Sequence, residues 1–255
     1  MDGTHWDTFT PKLLRRKSMN FNDAALGYDE SAFAQKRCAV ELVKMLPNEN
    51  IASFIDVGAG TGFASVEVLK KFPNAKALLL DKSARMLEIA KTKIPCATTI
   101  IADAEVFEFS TYNFDLAIAN LSLQWFKDLG TFMTKVSSHA KYFAFSIPLK
   151  GSFKEYFDVF RNVKYPDIKL YTESAILDII QQNAKVVSAK RCIINETYPN
   201  AIEAARHFRN IGAITTVNQQ IQSKIAARLK AHQTPVMISY DMFLCLLKSP
   251  LTIQH

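Results

Sequence analysis

A chain of 255 residues, 49% hydrophobic and 22% charged, is long enough for one α/β domain carrying a helical insertion. No stretch of about 18 uninterrupted apolar residues occurs, which argues against a spanning helix, and the amino terminus lacks the basic-then-apolar order of a secretory leader. A net charge of +7 and a pI near 9.1 favour an acidic partner, while no RNA-binding signature and no Cys-x-x-Cys pair is present. A cytoplasmic, monomeric protein is therefore expected, with no nucleic acid, no metal and no stable membrane association.

Three segments are expected: an amino-terminal arm and cap helix (1–47), a core (48–150), and a carboxy-terminal half with helical insertions (151–255). Residues 1–30 read as a loose arm. Apolar positions at helical spacing then predict a helix over 31–46, capped by Ser31 and closed by Pro47. The run 51–57 ends in glycines and predicts a buried parallel strand. A helix over 63–71, a strand over 75–80, a helix over 84–91 and strands over 98–102 and 114–119 follow. A helix over about 128–138 and a strand over 142–147 complete the alternation, which implies parallel βαβ units. Beyond Pro148 the spacing predicts helices over 152–163 and 172–182 (capped by Thr172), a strand over 186–194, helices over 201–211 and 218–231, and a last strand over 237–247. Cys38, Cys96, Cys192 and Cys245 are scattered, and apolar surroundings such as Phe243–Leu247 predict reduced, buried thiols.

Asp56-Val57-Gly58-Ala59-Gly60-Thr61-Gly62 follows a strand and opens a helix, the context in which a glycine loop receives a ligand. Its third glycine comes one residue too early for a dinucleotide fingerprint, with Phe63 in the last position, and no Gly-Lys-Ser/Thr follows to make a phosphate loop. Asp56 can orient the loop or meet an ammonium group. Asp81, Asp103 and Asn120 close the next three strands on the side where open α/β sheets bind ligands. An acid at Asp81 suits ribose hydroxyls, and Asp103 with Ala104 suits an adenine edge.

The order of these motifs, continued by Asp115-Leu116-Ala117-Ile118-Ala119-Asn120, resembles the class I methyltransferases. The resemblance implies a Rossmann-like, seven-stranded, mostly parallel sheet with helices on both faces and a helical lid. It also implies S-adenosylmethionine as cofactor. Gly58, Ala59, Gly60 and Gly62 would pack on its methionine part, and Asp56, Asn120, Leu121 and Trp125 are further cofactor-binding candidates beside the cleft. Asp81 would hold the ribose and Asp103 with Ala104 would face the adenine, and Lys82 is a further cofactor-binding candidate. Met86 would cover the ring, a core role standing beside that one.

Four further stretches narrow the resemblance: Asn20–Tyr28, Asn120–Trp125, Lys150–Phe153 and Ala205–Ala213. Together they are similar to the malonyl-acyl-carrier-protein O-methyltransferases of biotin synthesis. That implies methyl transfer to the free carboxylate of malonyl-acyl carrier protein, or malonyl-CoA, and an acidic carrier suits a basic enzyme. An ionised carboxylate needs no general base, in keeping with a sequence that presents no obvious nucleophile–histidine constellation. Arg206, Arg209 and Lys150 are candidates to hold it, and Tyr28 to close the site. Another small-molecule methyltransferase, of the trans-aconitate or quinone type, and a methyltransferase-fold assembly factor that acts by binding remain alternatives.

Overall fold

The computed structural model describes residues 28–155, 168–181, 184–210 and 234–249, without the side chains of Arg209 and Asn210. The expected amino-terminal arm through Gly27, most of the helix expected over 152–163, the whole of that over 218–231 and the segment Ile211–Ala213 lie outside the described residues.

The described elements run α1 (Phe33–Lys44), β1 (Ser53–Val57), α2 (Phe63–Lys71), β2 (Lys76–Asp81), α3 (Ala84–Lys93), β3 (Thr98–Ile101) and β4 (Phe114–Asn120). They continue through α4 (Leu129–Ser137), β5 (Ala140–Pro148), α5 (Glu173–Gln181), β6 (Lys185–Tyr198), α6 (Ala201–Asn210) and β7 (Val236–Lys248). The sheet has seven strands in the order β3-β2-β1-β4-β5-β7-β6. β1 to β5 are parallel, and β7 joins β5 antiparallel, with Phe145 opposite Cys245. The direction of winding reverses between β1 and β4, and at such a switch point the carboxyl ends of the strands leave a crevice.

Burial on both faces is what the continuous apolar runs demand. Phe54, Ile55, Leu79, Leu80, Leu116 to Ala119 and Phe143 to Phe145 are almost wholly inside. β6 forms one edge, and its exposure alternates from residue to residue. It extends four residues past the expected end at Ile194, because Asn195-Glu196-Thr197-Tyr198 keeps that alternation where an apolar-run criterion stops. Its Lys185, Lys190 and Arg191 are charges of the kind that discourage edge pairing.

Several local expectations are corrected. α1 is entered from Ala32, with no side-chain cap, so Ser31 is not its N-cap. Between β3 and β4, where the spacing predicts no helix, none lies. That crossover is filled by rings instead: Phe107 and Phe109 meet edge to face at 5.0 Å, Phe107 packs on Tyr112, and Phe109 reaches Phe132 of α4. Phe126 and Phe143 also meet Phe132, so the aromatic cluster anchors α4 to the sheet. Of the cysteines, only Cys38 and Cys245 are buried; Cys96 is exposed and Cys192 half-buried. Cys96 falls in the turn between α3 and β3, where no sheet face covers it. The Thr172 cap is present, its Oγ1 accepting from the Ala175 amide at 3.2 Å.

Two compact units interleave along the chain. The larger comprises Ala32–Ser152, Ile168–Ile194 and the chain from Tyr240; the smaller includes residues 28–31, 153–155, 195–210 and 234–239. In the larger unit, Asp241 of β7 is 6% exposed and holds Arg191 by two bonds, Nε to Oδ1 at 2.7 Å and Nη2 to Oδ2 at 2.6 Å. Its backbone N–H donates to Ser152 Oγ at 2.9 Å, and its carbonyl accepts from Leu149 N–H at 2.7 Å. A Cβ on Gly151 would sit 2.6 Å from the Asp241 Oδ2 so pinned. Gly151→Ala is therefore expected to cost about 1–3 kcal/mol through overpacking, read as a lower melting temperature. In an Asp241→Ala background the same substitution should cost little, and an equal loss in both backgrounds would refute the clash.

Candidate functional site

The crevice at the switch point is built from strand ends. Val57 lies opposite Leu80, Asp81 opposite Ile101 and Asn120 opposite Ser146, so the motifs separated in sequence share one row. The glycine loop leaves β1 with Gly58 at φ 68, Gly60 at 54 and Gly62 at 85, all in the left-handed region that favours glycine. Gly58 and Ala59 N–H groups both donate to Leu80 O, at 2.8 and 3.0 Å.

The three glycines have different neighbours. A Cβ on Gly58 would lie 2.5 Å from Ser122 Cβ, and one on Gly62 3.2 Å from Ala90 Cβ, so these two allow backbone to approach protein. A Cβ on Gly60 would meet none of the described residues within 4 Å. The middle of the loop therefore presents bare backbone to open space, the surface a ligand can lie against. Beyond it, the ring of Phe63 has Lys93 Nζ at 4.4 Å and Lys36 Nζ at 5.1 Å from its centroid. Lys93 Nζ also donates to Thr61 O at 2.8 Å.

Asp81 braces the loop from β2. Its Oδ2 accepts from Gly60 N–H at 2.8 Å and its Oδ1 from Ser83 N–H at 2.8 Å. Each oxygen keeps a further lone pair, as hydroxyl donors require. Burial raises the Asp81 carboxyl above the usual range, opposed by those amides. Asp103 follows β3, where its Oδ1 accepts from Glu105 N–H at 3.0 Å and its Oδ2 meets Lys82 Nζ at 2.9 Å. Burial pushes that carboxyl up, but the Lys82 bond and the Glu105 amide outweigh it, and the net shift is downward. Ala104 is buried beside it.

Asp56 is placed where it can orient the loop. It is 1% exposed, and its Oδ2 accepts from both Ser65 N–H at 3.2 Å and Ser65 Oγ at 2.6 Å. It thus ties β1 to the first turn of α2, which sets the loop's path. Met86 is 1% exposed on the buried face of α3 with Leu87 and Ala90, so packing is its role in this structure. Asp115 lies at the opposite end of β4 and clamps β1 there, its Oδ2 accepting from Ala52 and Ser53 N–H.

The turn after β4 closes the other side. Asn120 Nδ2 donates to Gln35 O at 3.0 Å, and its Oδ1 accepts from Ser146 Oγ at 2.8 Å. Leu121 takes φ 52, uncommon for a side-chain-bearing residue, and its N–H donates to both Ser146 O and Ser146 Oγ. Ser122 Oγ donates to Val57 O at 2.7 Å, locking this turn to the start of the glycine loop. Gln124 Nε2 donates to Leu121 O at 2.7 Å, and Trp125 is half-buried in the short turn Leu123–Trp125. Gln35, Ser122 and Ser146 were not singled out as site residues. Only the pairing of Asn120, at the end of β4, with Ser146 of β5 flags one of them.

Tyr28 and Arg206 belong to the smaller unit. Within it, Asn200 Oδ1 caps α6 by accepting from Glu203 N–H at 3.0 Å, and Arg206 Nη1 donates to both Glu203 oxygens at 2.7 Å. Phe208 meets Phe153 edge to face, and His207 Nε2 lies 3.5 Å from Glu196 Oε2. Burial pushes the His207 ring down to about 4, so it is neutral at physiological pH. The side chain of Arg209 lies outside the described residues. Among the described residues no helix is long and apolar enough to cross a membrane.

Comparison with known proteins agrees with this geometry. The methyltransferase domain family matches residues 54–142, from β1 to β5. Malonyl-[acyl-carrier protein] O-methyltransferase of Neorickettsia risticii is 29% identical over 202 residues, covering 76% of this chain and 80% of that protein. Malonyl-[acyl-carrier protein] O-methyltransferase 2 of Coxiella burnetii is 29% identical over 208 residues, covering 79% and 82%. Among solved structures, the N-methyltransferase NodS of Bradyrhizobium japonicum, in complex with S-adenosyl-L-homocysteine, has the same fold at a TM-score of 0.55 and 11% identity, covering 91% of this chain and all of that one. The YcgJ protein of Bacillus subtilis reaches 0.59 at 14% identity, covering 84% and 99%. The chain carries a methyltransferase domain on the class I S-adenosylmethionine-dependent methyltransferase fold and is similar in sequence to the malonyl-[acyl-carrier protein] O-methyltransferases.

Proposed function

We propose that this enzyme methylates the free carboxylate of a malonyl group carried on acyl carrier protein, giving the methyl ester. The observation that carries the proposal is the extent of the likeness to enzymes so named, which spans about three quarters of the chain rather than the cofactor domain alone. The net charge of +7 adds to it, because a basic surface steers an acidic carrier into encounter.

Adenosylmethionine supplies, when bound, a methyl group on a sulfonium sulfur. The residues present fit that cofactor: bare backbone at Gly60, acceptor carboxylates at Asp81 and Asp103, and buried acceptors beside Asn120. Asp81 holds ribose hydroxyls while keeping Gly60 in place, and Asp103 accepts from the adenine amino group. The chain's part in the chemistry is alignment, since a carboxylate is ionised at neutral pH and needs no base to activate it. A cationic donor that holds one carboxylate oxygen leaves the other to react, and Arg206, Arg209 and Lys150 are the candidates, with Tyr28 closing over them. An Arg–carboxylate hydrogen bond contributes roughly 1.5–3 kcal/mol, so losing the correct one should lower kcat/KM about 10- to 100-fold.

Purified enzyme should be incubated with adenosylmethionine and, in parallel, malonyl-acyl carrier protein, malonyl-CoA, trans-aconitate and a demethylquinone, with products resolved by mass. A gain of one methyl group on a malonyl thioester, reversed by mild alkaline hydrolysis, is the expected result. Transfer only to trans-aconitate or the quinone would replace this proposal with the corresponding small-molecule activity. No transfer to any of them, together with a stably co-purifying protein complex, would favour a binding role.

A further inference from the structure

We propose that Gln35, with Gln124 as its second acceptor, receives the α-ammonium group at the methionyl end of the cofactor. Gln35 is 9% exposed and Gln124 7%, and the side-chain oxygen of each is buried without a hydrogen-bond partner among the described residues. A buried polar atom normally finds a partner, because leaving it bare costs about 1–3 kcal/mol. One such atom lies in the turn after β4 and the other on the α1 residue whose carbonyl Asn120 holds, and orphan acceptors beside that turn mark a place where a ligand completes the set.

The two glutamines are tied to consecutive residues, Asn120 and Leu121, where β4 ends. Gln35 O receives the Asn120 side-chain amide, and Gln124 Nε2 donates to Leu121 O. That turn is fastened to the glycine loop by Ser122, whose Oγ donates to Val57 O and whose Cβ faces Gly58. The orphan atoms are oxygens, so they call for a donor and not for a carboxylate. The cofactor's other donors, its adenine amino group and ribose hydroxyls, belong with Asp103 and Asp81 at the ends of β3 and β2. The turn lies on β4, across β1 from those acids in the strand order. Neighbouring strands are about 4.8 Å apart, so β2 and β4 are separated by about 10 Å, a span suited to an extended ligand laid across the loop. The ammonium, with three N–H groups, is the one donor left for that side.

The inference rests on the cofactor assignment and is independent of the acceptor substrate. Its test is calorimetric titration of the full chain with S-adenosylhomocysteine and with methylthioadenosine, which shares the adenosine and thioether but lacks the amino-acid end. Gln35→Leu and Gln124→Leu should each weaken S-adenosylhomocysteine about tenfold or more and leave methylthioadenosine unchanged. Gln35→Glu, which keeps an acceptor, should retain affinity for S-adenosylhomocysteine, and it carries the test if a leucine variant does not fold. Equal losses for both ligands, or a Gln35→Glu variant as weak as Gln35→Leu, would overturn the proposal. Wild-type protein that binds neither ligand would overturn the cofactor assignment beneath it.

Discussion

Gly58→Ala should unfold the loop end of the larger unit, whereas Gly60→Ala should leave the chain folded and unable to bind its cofactor well. Both residues have positive φ, which costs alanine about 1–2 kcal/mol. Only at Gly58 does the added methyl meet protein, 2.5 Å from Ser122 Cβ. Ser122 cannot move aside cheaply, because its Oγ holds Val57 O and its neighbour Leu121 is held twice by Ser146. Overpacking adds about 1–3 kcal/mol, so the total at Gly58 is about 2–5 kcal/mol, or a fall of about 10 °C in melting temperature. At Gly60 the methyl enters open space, so melting should drop by only a few degrees while affinity for S-adenosylhomocysteine falls about tenfold or more. Calorimetry of both variants, melting and titration, reads the two effects separately. A Gly60→Ala variant that binds like wild type would remove the loop's middle from the ligand surface.

That division among three glycines shows how far the sequence is informative here. The spacing Gly58-x-Gly60-x-Gly62 and the acids at strand ends are local patterns, and local patterns survive in a linear text. The partner of each glycine is not local. Ser122 opposes Gly58 because β4 lies beside β1, a consequence of the winding reversal, and Ala90 opposes Gly62 because α3 packs against the loop. Asp56 could be given two roles from its position; only its burial beside Ser65 chooses between them. Met86 likewise lies on the helical face that turns inward, a rotation that one residue's position does not specify. The crossover after β3 carried no helical period, and rings at 107, 109 and 112 do the packing a helix would have done. Gln35 was unreadable as a site residue because it sits in an ordinary apolar-faced helix, and what distinguishes it is an unsatisfied oxygen that no sequence displays.

Asp56 should make the enzyme less stable as pH rises. Burial pushes its carboxyl from 3.8 up to about 7, opposed by the two Ser65 bonds and reinforced by the nearby Asp81 charge. The folded chain therefore keeps a proton that the unfolded chain releases near pH 4. Stability from this group is fully present below about pH 4, declines as pH rises toward 7, and is flat above it. A shift of about three units corresponds to about 4 kcal/mol at the alkaline end, taken as an order of magnitude. Asp56→Asn keeps an oxygen for Ser65 N–H and Oγ and removes the titration. The variant should melt several degrees above wild type at pH 8, with the gap closing toward pH 4.5. Asp81→Asn should narrow the same window by letting Asp56 ionise more easily, since the charge that raises it is gone. A melting difference between Asp56→Asn and wild type that stays constant from pH 4.5 to 8 would show that the carboxylate is solvated rather than sealed under the loop. With the proton in place, the base of the glycine loop is neutral, and the negative charge facing the cofactor is confined to Asp81 and Asp103, where its hydroxyl and amino donors are expected.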